Sequence, residues 1–270
     1  RSCITGNSTT ASMNWIDFHY YSQQRGMQQI DALMHSRIAN LFYARYGRRD
    51  SQEQCGGGQH TNNRITGGTA GYGMQDTIGY DGAYKINNKI TNSLVDNNQI
   101  HQYAWYRGQD EYGSPTVTQV NNISCLGYED IYGHKYDMMD GVDLPNDSGN
   151  SGKWRIWMPD GSIRFVKGKT SSDQWITGVA HGKYMDMVPV GSANGSSSTY
   201  YCDKYYISTA VSRVVFRGCN DAYASGGVSF AYAGYDASSS SSYVGSRLAF
   251  RGRIVKAESV EAYKALSEKA

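Results

Sequence analysis

The sequence predicts an α+β domain in which one long amphipathic helix and several short strands are joined by long polar loops. Three observations predict it. Apolar residues recur at helical spacing near the N-terminus, an Asp-Gly turn joins two apolar runs in the middle, and Gly, Ser, Thr and Asn dominate the stretches between them. A length of 270 residues is ample for one sizeable core.

The long helix is predicted from residue 27 to residue 46. Its apolar residues recur every three or four positions and so share one face: Met27, Ile30, Met34, Ile38, Leu41 and Phe42. Gly47 follows where a helix is commonly capped. A second helix is predicted over residues 258–269, where Val260, Tyr263 and Leu266 fall on one face.

The strands are predicted from short apolar runs bounded by turn residues. Residues 154–158 and 162–166 flank an Asp-Gly pair, which accepts the backbone angles of a tight hairpin. Further strands are expected at 184–190, 213–217 and 247–255, with a Gly/Ser-rich loop at 191–198. From residue 55 to about residue 84 the periodicity is lost, and loops with short strands are expected.

The composition excludes several classes of protein. Lys and Arg number 26 against 24 Asp and Glu, and the basic residues are scattered, so no nucleic-acid surface is indicated. The apolar runs are far shorter than the roughly 18 residues of a membrane span. With 23 tyrosines and 19% charged residues, the chain resembles neither a disordered charged tail nor a coiled coil.

The ends and the cysteines bear on the domain organisation. The chain begins Arg1, Ser2, Cys3 without an initiator Met, so we expect residues 1–14 to be the N-terminal lead-in of a longer product. Residues 15–255 are expected to form the domain and residues 256–270 a C-terminal helix or tail. The five cysteines are odd in number and lack zinc spacing; we favour structural or free thiols, with one or two bridges as the alternative.

Motifs for catalysis and metal binding are missing from the sequence. It has no H-E-x-x-H motif of zinc-binding helices, no G-x-x-x-x-G-K-[ST] motif of phosphate-binding loops and no G-x-S-x-G motif of a nucleophile turn. Its six histidines are dispersed. The run Tyr128, Glu129, Asp130 leaves a calcium ligand open, but the regular acidic loop with a central Gly is absent. The sequence therefore predicts no catalytic residue and no cofactor, and it assigns no residue as a metal ligand.

One stretch, residues 219–244, is here called the Tyr/Ser segment. It holds four tyrosines and one phenylalanine among small residues, and no Lys, Arg, Glu, Gln, Met, Trp, Leu or Ile. A flexible linker is the alternative, because Ser and Gly are linker residues. The aromatic content and the flanking strands favour a binding surface, since Tyr supplies rigid contact area and small polar residues supply adaptable hydrogen bonds.

The genetic code supplies an independent observation. Every residue of the Tyr/Ser segment can be encoded by an asparagine codon, AAC or AAT, in which only the adenines are changed. Selection on an ordinary protein surface would not be expected to exclude all amino acids outside this set over such a stretch. Changes confined to the adenines of such codons would produce this alphabet.

The sequences on either side of the segment carry a family resemblance. RVVFRG at residues 213–218 and VGSRLAFRG at residues 244–252 flank it, and this arrangement resembles the C-terminus of variable proteins diversified by retroelements in phages and bacteria. CLGYEDIYGH at residues 125–134 is similar to the Gly-Leu-x-Asp-Met-x-Gly-Asn motif of the wider formylglycine-generating-enzyme superfamily, and YARYG at residues 43–47 sits where that superfamily has its second helix. The resemblance spans roughly residues 15–255 and implies a C-type-lectin-like fold with long loops and peripheral helices.

The sequence also departs from that superfamily. Its enzymes continue the Arg-Gly pair with Gly-Ser-Trp and a cysteine pair, whereas here Cys219 follows Gly218 without a second Cys. The Glu-Pro-Asn and Gln-Pro-Asp motifs of animal C-type lectins are absent as well. The resemblance therefore implies neither copper-dependent thiol oxidation nor calcium-dependent sugar binding.

These observations predict a non-catalytic receptor-binding protein or adhesin that presents a hypervariable surface. The resemblance implies a phage tail tip or a bacterial cell surface as its location, and a bacterial surface protein or glycan as its ligand. The terminal helix and multivalent display are compatible with a homo-oligomer, and neither a nucleic-acid partner nor a membrane span is expected. An oxidase of the formylglycine-generating type and a structural virion or pilus component are the alternatives.

Two groups of residues follow from this prediction. The expected ligand contacts are Asn220, Asp221, Tyr223, Ser225, Ser229, Phe230, Tyr232, Tyr235, Asp236, Ser238, Ser240, Ser242 and Tyr243, with two of the aromatic residues expected in the core instead. Scaffold roles are expected for Gly133, Arg217, Gly218, Gly245, Arg247 and Arg251.

Overall fold

The computed structural model describes residues 12–24, 26–55, 73–74, 77–78, 83–86, 89–92, 100–109, 115–125, 128–129, 131–133, 135–168, 171–219 and 225–250. Within these ranges the chain is mostly sheet with few helices, a mixed and β-rich fold. In chain order its elements are α1 Trp15–Gln23, β1 Gln28–Gln29, α2 Ala32–Tyr46, α3 Ser51–Cys55, β2 Gly73–Met74, β3 Thr77–Ile78, β4 Ala83–Ile86, β5 Lys89–Asn92, β6 Ile100–Gln109, β7 Pro115–Cys125, β8 Tyr128–Glu129, β9 Tyr136–Leu144, β10 Lys153–Trp157, β11 Ile163–Lys167, β12 Ser171–His181, β13 Met187–Ala193, β14 Lys204–Ile207, β15 Arg213–Arg217, β16 Ala231–Ala233, β17 Val244–Gly245 and β18 Leu248–Ala249.

The main sheet has nine strands. Eight follow the order β11-β10-β9-β15-β16-β14-β12-β13, and β17 pairs with β9 in parallel. Smaller sheets join β2, β6, β7 and β8, then β3, β4 and β5, and finally β1 with β18. Strand β16 comes from the Tyr/Ser segment and lies inside the main sheet, so the segment is part of the fold.

Helix α2 is the predicted long helix, with a later start. It begins at Ala32 because the Asp31 side chain caps it, accepting from the backbone amides of Leu33 and Met34 at 2.9 Å each. It ends as predicted at Gly47, which adopts a left-handed conformation with φ of 63°. The prediction was wrong for residues 27–31, since β1 pairs with β18 there.

The two faces of the main sheet pack against different helices. On one face Met139, Val215, Tyr205 and their neighbours form a core with the start of α2. On the other face Met138, Val214 and Phe216 pack with Phe18 of α1. The alternation of Val214, Val215 and Phe216 between these cores is the period-two pattern of a strand that is covered on both sides.

The predicted hairpin is confirmed, because β10 and β11 pair from Lys153 with Lys167 to Trp157 with Ile163. The strand predicted at 213–217 is β15, while the one predicted at 184–190 is shifted to β13 and runs into the expected loop. Helix α1 was not predicted. The helix predicted at 258–269 and most of the strand predicted at 247–255 lie outside the described residues.

Candidate functional site

The Tyr/Ser segment begins at a glycine that lies close to another part of the chain. Gly218 has a φ of 81°, and a Cβ atom there would lie 2.8 Å from the carbonyl oxygen of Ile131. The backbone amide of Gly133 donates to the carbonyl oxygens of Gly218 at 2.9 Å and of Cys219 at 3.2 Å. The backbone at Gly133 is thus in direct contact with the backbone at Gly218, where the Tyr/Ser segment begins.

A cluster of buried polar side chains contacts residues 228–229 of the segment; we call it the Asp203 cluster, formed by Asp203, Arg217, Ser229 and Tyr43. Oδ2 of Asp203 accepts from the backbone amide of Ser229 at 2.7 Å. A guanidinium nitrogen of Arg217 donates to the carbonyl oxygen of Val228 at 3.3 Å, and the hydroxyls of Tyr43 and Ser229 are hydrogen-bonded. The main chain at 228–229 is therefore fixed from both sides.

Helix α3 adds further contacts to the same backbone. Oγ of Ser51 accepts from the amide of Val228 at 3.2 Å, and the Gln52 side-chain amide donates to the carbonyl of Gly226. The carbonyl of Ser51 in turn accepts from the hydroxyl of the buried Tyr132 at 2.7 Å. Residues 226–229 are thus held through their backbone atoms.

Burial governs ionisation in the Asp203 cluster. Asp203 and Arg217 are almost fully buried, and loss of hydration disfavours their charged forms. It raises the pKa of Asp203 to about 8 and lowers the pKa of Arg217 to about 10, and the attraction between the two groups opposes both shifts. Burial also raises the pKa of the Tyr43 hydroxyl, with the charge of Asp203 as the next cause.

Strand β16 aligns three aromatic residues across the sheet. It pairs in parallel with β14 and antiparallel with β15, so that Tyr206, Tyr232 and Phe216 are direct cross-strand neighbours. Directly opposed residues share a face and contact each other. The amide of Ser208 donates to the carbonyl of Ala233 at 3.0 Å and holds the end of β16.

These three residues belong to an aromatic cluster, defined as Tyr136, Tyr206, Phe216, Phe230, Tyr232 and Tyr235. Its centre is Tyr232, whose ring centroid lies 5.0 Å from that of Tyr206, 5.6 Å from Tyr235 and 6.2 Å from Phe216. Phe216 and Phe230 are buried, whereas Tyr235 is 47% exposed. The cluster therefore runs from the core to the surface and supports its outer rings from below.

The last part of the segment, residues 236–243, is also held through its carbonyl groups. Their hydrogen-bond donors come from outside the segment: Ala237 accepts from the Trp15 amide at 3.2 Å, Ser241 from the Ser12 amide at 3.0 Å, Ser242 from the Lys135 ammonium at 2.6 Å and Tyr243 from the Tyr136 amide at 2.9 Å. None of these contacts uses a side-chain atom of the segment.

Asp236 orders the serines that follow it. Its Oδ1 accepts from the amide of Ser238 at 3.0 Å and from the hydroxyls of Ser238 at 2.6 Å and Ser239 at 3.2 Å. These hydrogen bonds stabilise the ionised carboxylate and lower its pKa. A short Asx turn therefore sets the shape of the serine run.

The structure separates the sequence-predicted contacts into groups. Asn220, Asp221 and Tyr223 lie outside the described residues. Ser229 and Phe230 lie in the interior and offer almost no surface to a ligand. Ser225, Tyr232 and Asp236 are half-buried, and the exposed members are Tyr235, Ser238, Ser240, Ser242 and Tyr243.

Two residues of this face lie outside the segment, and the sequence did not indicate them. Tyr206 stacks on Tyr232 with an interplanar angle of 23°, and the half-buried Tyr136 lies with its ring centroid 5.9 Å from that of Tyr232. The alternation in β14 could have shown that Tyr205 and Tyr206 point to opposite faces. The parallel pairing that brings Tyr206 to Tyr232 joins distant parts of the chain and has no local signal.

Among the described residues, no group of three or more His, Cys, Asp or Glu side chains is placed to hold a metal ion. Their helices are also too short or too polar to cross a membrane. Compared with the models of known protein families and with curated proteins, the chain gives no match.

Proposed function

We propose that this chain is a non-catalytic ligand-binding protein of C-type-lectin-like fold whose recognition surface is formed by the Tyr/Ser segment. The observation that carries the proposal is the way in which the segment is held. Contacts from α3, β14, Trp15, Lys135 and Tyr136 reach its backbone atoms, while Ser229, Phe230 and Tyr232 are also held through their side chains. Recognition then depends on the exposed side chains of the segment, and the buried ones belong to the scaffold.

This mode of attachment suits a surface whose residues vary. A hydrogen bond to a carbonyl oxygen is kept whatever side chain the residue carries, so substitution at an exposed position leaves the contact intact. A rigid backbone also lowers the entropy that is lost when the surface binds a ligand. The restricted alphabet of residues 219–244 and the backbone attachment thus support the same role.

The exposed side chains suit recognition. Tyr235 and Tyr243 are 47% and 51% exposed, and the serines between them offer adaptable donors and acceptors. Tyrosine and serine together give large contact area at a low cost in side-chain entropy. Tyr206 and Tyr232 extend this surface from the sheet.

The resemblance supplies the biological setting of the proposal. A variable protein diversified by a retroelement places such a face at a phage tail tip or on a bacterial cell surface, where it binds a bacterial surface protein or glycan. Nucleic acid is not its partner on this proposal. Display in several copies on a virion would add avidity to each weak contact.

The binding role can be tested with exposed tyrosines. We expect replacement of Tyr235 and Tyr243 together by Ala to weaken binding of the displayed domain to bacterial surface fractions by about tenfold or more. Tyr200→Ala is the matched control, because Tyr200 is 46% exposed and lies outside the segment. Equal binding by the double variant and the control would refute the role of this face.

The diversification can be tested in the DNA. We expect a near-repeat of the region that encodes residues 219–244 close to the gene, beside a gene for a reverse transcriptase. The repeat should carry adenines at the positions where the two copies differ. Sibling genes that keep the segment unchanged would instead favour the structural virion or pilus component.

A further inference from the structure

A groove of about 470 Å³ opens beside the Tyr/Ser segment, on the face of the main sheet that α1 covers. The residues that line it include Trp15, Asp140, Asp143, Trp157, Arg213 and Ala237. Its volume falls in the roughly 300–1,000 Å³ of small-molecule sites. Apart from Ala237, these residues lie outside the segment.

The groove arises from an irregularity in β9. Val214 pairs with Asp143 and Phe216 pairs with Met138, so β9 uses more residues than β15 between the same two pairs. The extra stretch leaves β15 and instead contacts the β1–α2 connection, where the amide of Asp140 donates to the carbonyl of Ile30 at 2.9 Å. The departure of β9 from β15 opens the space between these strands.

Two tryptophans give the groove its aromatic surface. Trp15 is held by its indole nitrogen, which donates to the carbonyl of Met139 at 3.2 Å, and its ring stacks on His19 at 4.9 Å. Trp157 is 41% exposed at the end of β10, with the guanidinium of Arg155 lying 4.9 Å from its ring centroid. The Trp15 ring is thus fixed by two contacts, and Arg155 covers one face of the Trp157 ring.

The groove is lined by both negatively and positively charged groups. Asp143 binds Arg155 through both carboxylate oxygens, with 2.8 Å between Nε and Oδ1. Oδ2 of Asp140 lies 3.2 Å from Nδ1 of His19, and Arg213 adds a cation that donates to Ser208 at 3.1 Å. Carboxylate acceptors and guanidinium donors therefore lie around one pair of indole rings.

This mixture selects the class of ligand by charge. A cationic ligand would meet Arg213, and both carboxylates already have a basic neighbour; an anionic ligand would meet Asp140 and Asp143. The lining is mainly apolar, and its charged groups are already paired within the protein, since Oδ1 of Asp140 accepts from the Gly141 amide at 2.7 Å and Asp143 binds Arg155. A fitting ligand therefore needs apolar surface for the indole rings and only a few polar groups for the remaining hydrogen bonds. A neutral ring with hydroxyls at its edge and C–H groups on its faces satisfies both the polar groups and the indoles.

We propose that this groove binds a neutral saccharide, a hexose or short oligosaccharide, that stacks on Trp157 and hydrogen-bonds with Asp140 and Arg213. The site is built from the scaffold and does not rest on the function proposed for the Tyr/Ser segment. Apart from Ala237, the residues of this glycan contact lie outside the Tyr/Ser segment. Ala237 marks the boundary between the two.

The experiment titrates the folded chain with glucose, galactose, mannose, N-acetylglucosamine and β-linked disaccharides of these sugars, by calorimetry and tryptophan fluorescence. We expect saturable binding of at least one neutral sugar, weakened about tenfold or more by Trp157→Ala and by Asp140→Asn. Trp175→Ala is the control, because this half-exposed tryptophan of β12 is not among the residues that line the groove. Circular dichroism verifies that each variant is folded.

Other results would overturn the proposal. They are the absence of binding by every sugar of this panel, or equal binding by the wild type and Trp157→Ala. Preference for choline, as a cationic probe, or for N-acetylneuraminic acid, as an anionic one, would overturn the assigned ligand class. Tyr235→Ala should leave sugar binding unchanged. The sugar-binding proposal and the role proposed for the Tyr/Ser segment can therefore be refuted independently.

Discussion

Asp203 and Ser229 are joined by a buried hydrogen bond in which the backbone amide of Ser229 donates to Oδ2 of Asp203 at 2.7 Å. The two residues lie on different elements, Asp203 just before β14 and Ser229 within the Tyr/Ser segment. Because both are almost fully buried, the bond ties the segment to the core through an ionisable group. The stability of the segment should therefore depend on pH.

The first prediction follows from that ionisation. Burial raises the pKa of Asp203 from 3.8 to about 8, so at pH 6.5 the folded state keeps a proton that the unfolded state has lost. The free energy of unfolding should then fall as pH rises from 6.5 to 8, by at most about 1.4 kcal/mol per pH unit. Urea unfolding at several pH values measures it.

This window is chosen because His35 acts in the opposite direction at lower pH. Burial lowers the pKa of His35, and the stability due to its neutral form is lost as pH falls below its ordinary 6.5. The control is Asp203→Asn, which keeps the shape of the side chain and removes its ionisation. The same slope in Asp203→Asn and the wild type would contradict the assignment to Asp203.

The second prediction concerns the glycine at the entrance of the segment. Gly218→Ala should destabilise the protein by roughly 2–4 kcal/mol, because Ala is strained at a φ of 81° and its Cβ would clash with the Ile131 carbonyl. Gly149→Ala is matched, since Gly149 has a φ of 86° and no atom within 4 Å of the added Cβ. It should cost only about 1–2 kcal/mol. Equal losses in urea unfolding would show that the close approach is unimportant.

Sequence patterns correctly predicted the structural elements that are determined by neighbouring residues. The end of α2 at Gly47 and the β10–β11 hairpin depend on neighbouring residues, and both are as predicted. Helix α2 starts at Ala32 and not at residue 27, because residue 28 pairs with residue 249 in a long-range contact that competes with helical periodicity. The pairing of distant strands could not be read from spacing.

The same distinction applies to the candidate site. Composition marked the Tyr/Ser segment as a unit, but it did not separate inner from outer side chains. Ser229, a small polar residue, is buried because Asp203 and Tyr43 satisfy its amide and hydroxyl. Those partners lie far away in the sequence, so a polar residue in the core had no sequence signal.

The third prediction concerns a buried thiol. Burial, followed by the nearby charge of Asp50, raises the pKa of Cys202 to about 11 from an ordinary 9.0. The thiolate is the reactive form, so at pH 8 iodoacetamide should label Cys202 about tenfold or more slowly in the folded protein than in urea. Peptide mass spectrometry follows this cysteine separately from the others. Equal labelling rates in the folded protein and in urea would mean that the thiol is accessible and that its pKa is not raised.

The last prediction separates the supporting tyrosine of the aromatic cluster from the exposed one. Tyr232→Ala should lower the free energy of unfolding by about 2–4 kcal/mol, because its half-buried ring contacts Tyr206, Phe216 and Tyr235 and leaves a cavity when removed. Tyr235→Ala should cost less than about 1 kcal/mol, since that ring is 47% exposed, yet it should weaken ligand binding. Urea unfolding and binding to surface fractions measure the two effects. A larger loss of stability at Tyr235 than at Tyr232 would reverse these roles, and the recognition surface would then have to lie on the serine run instead.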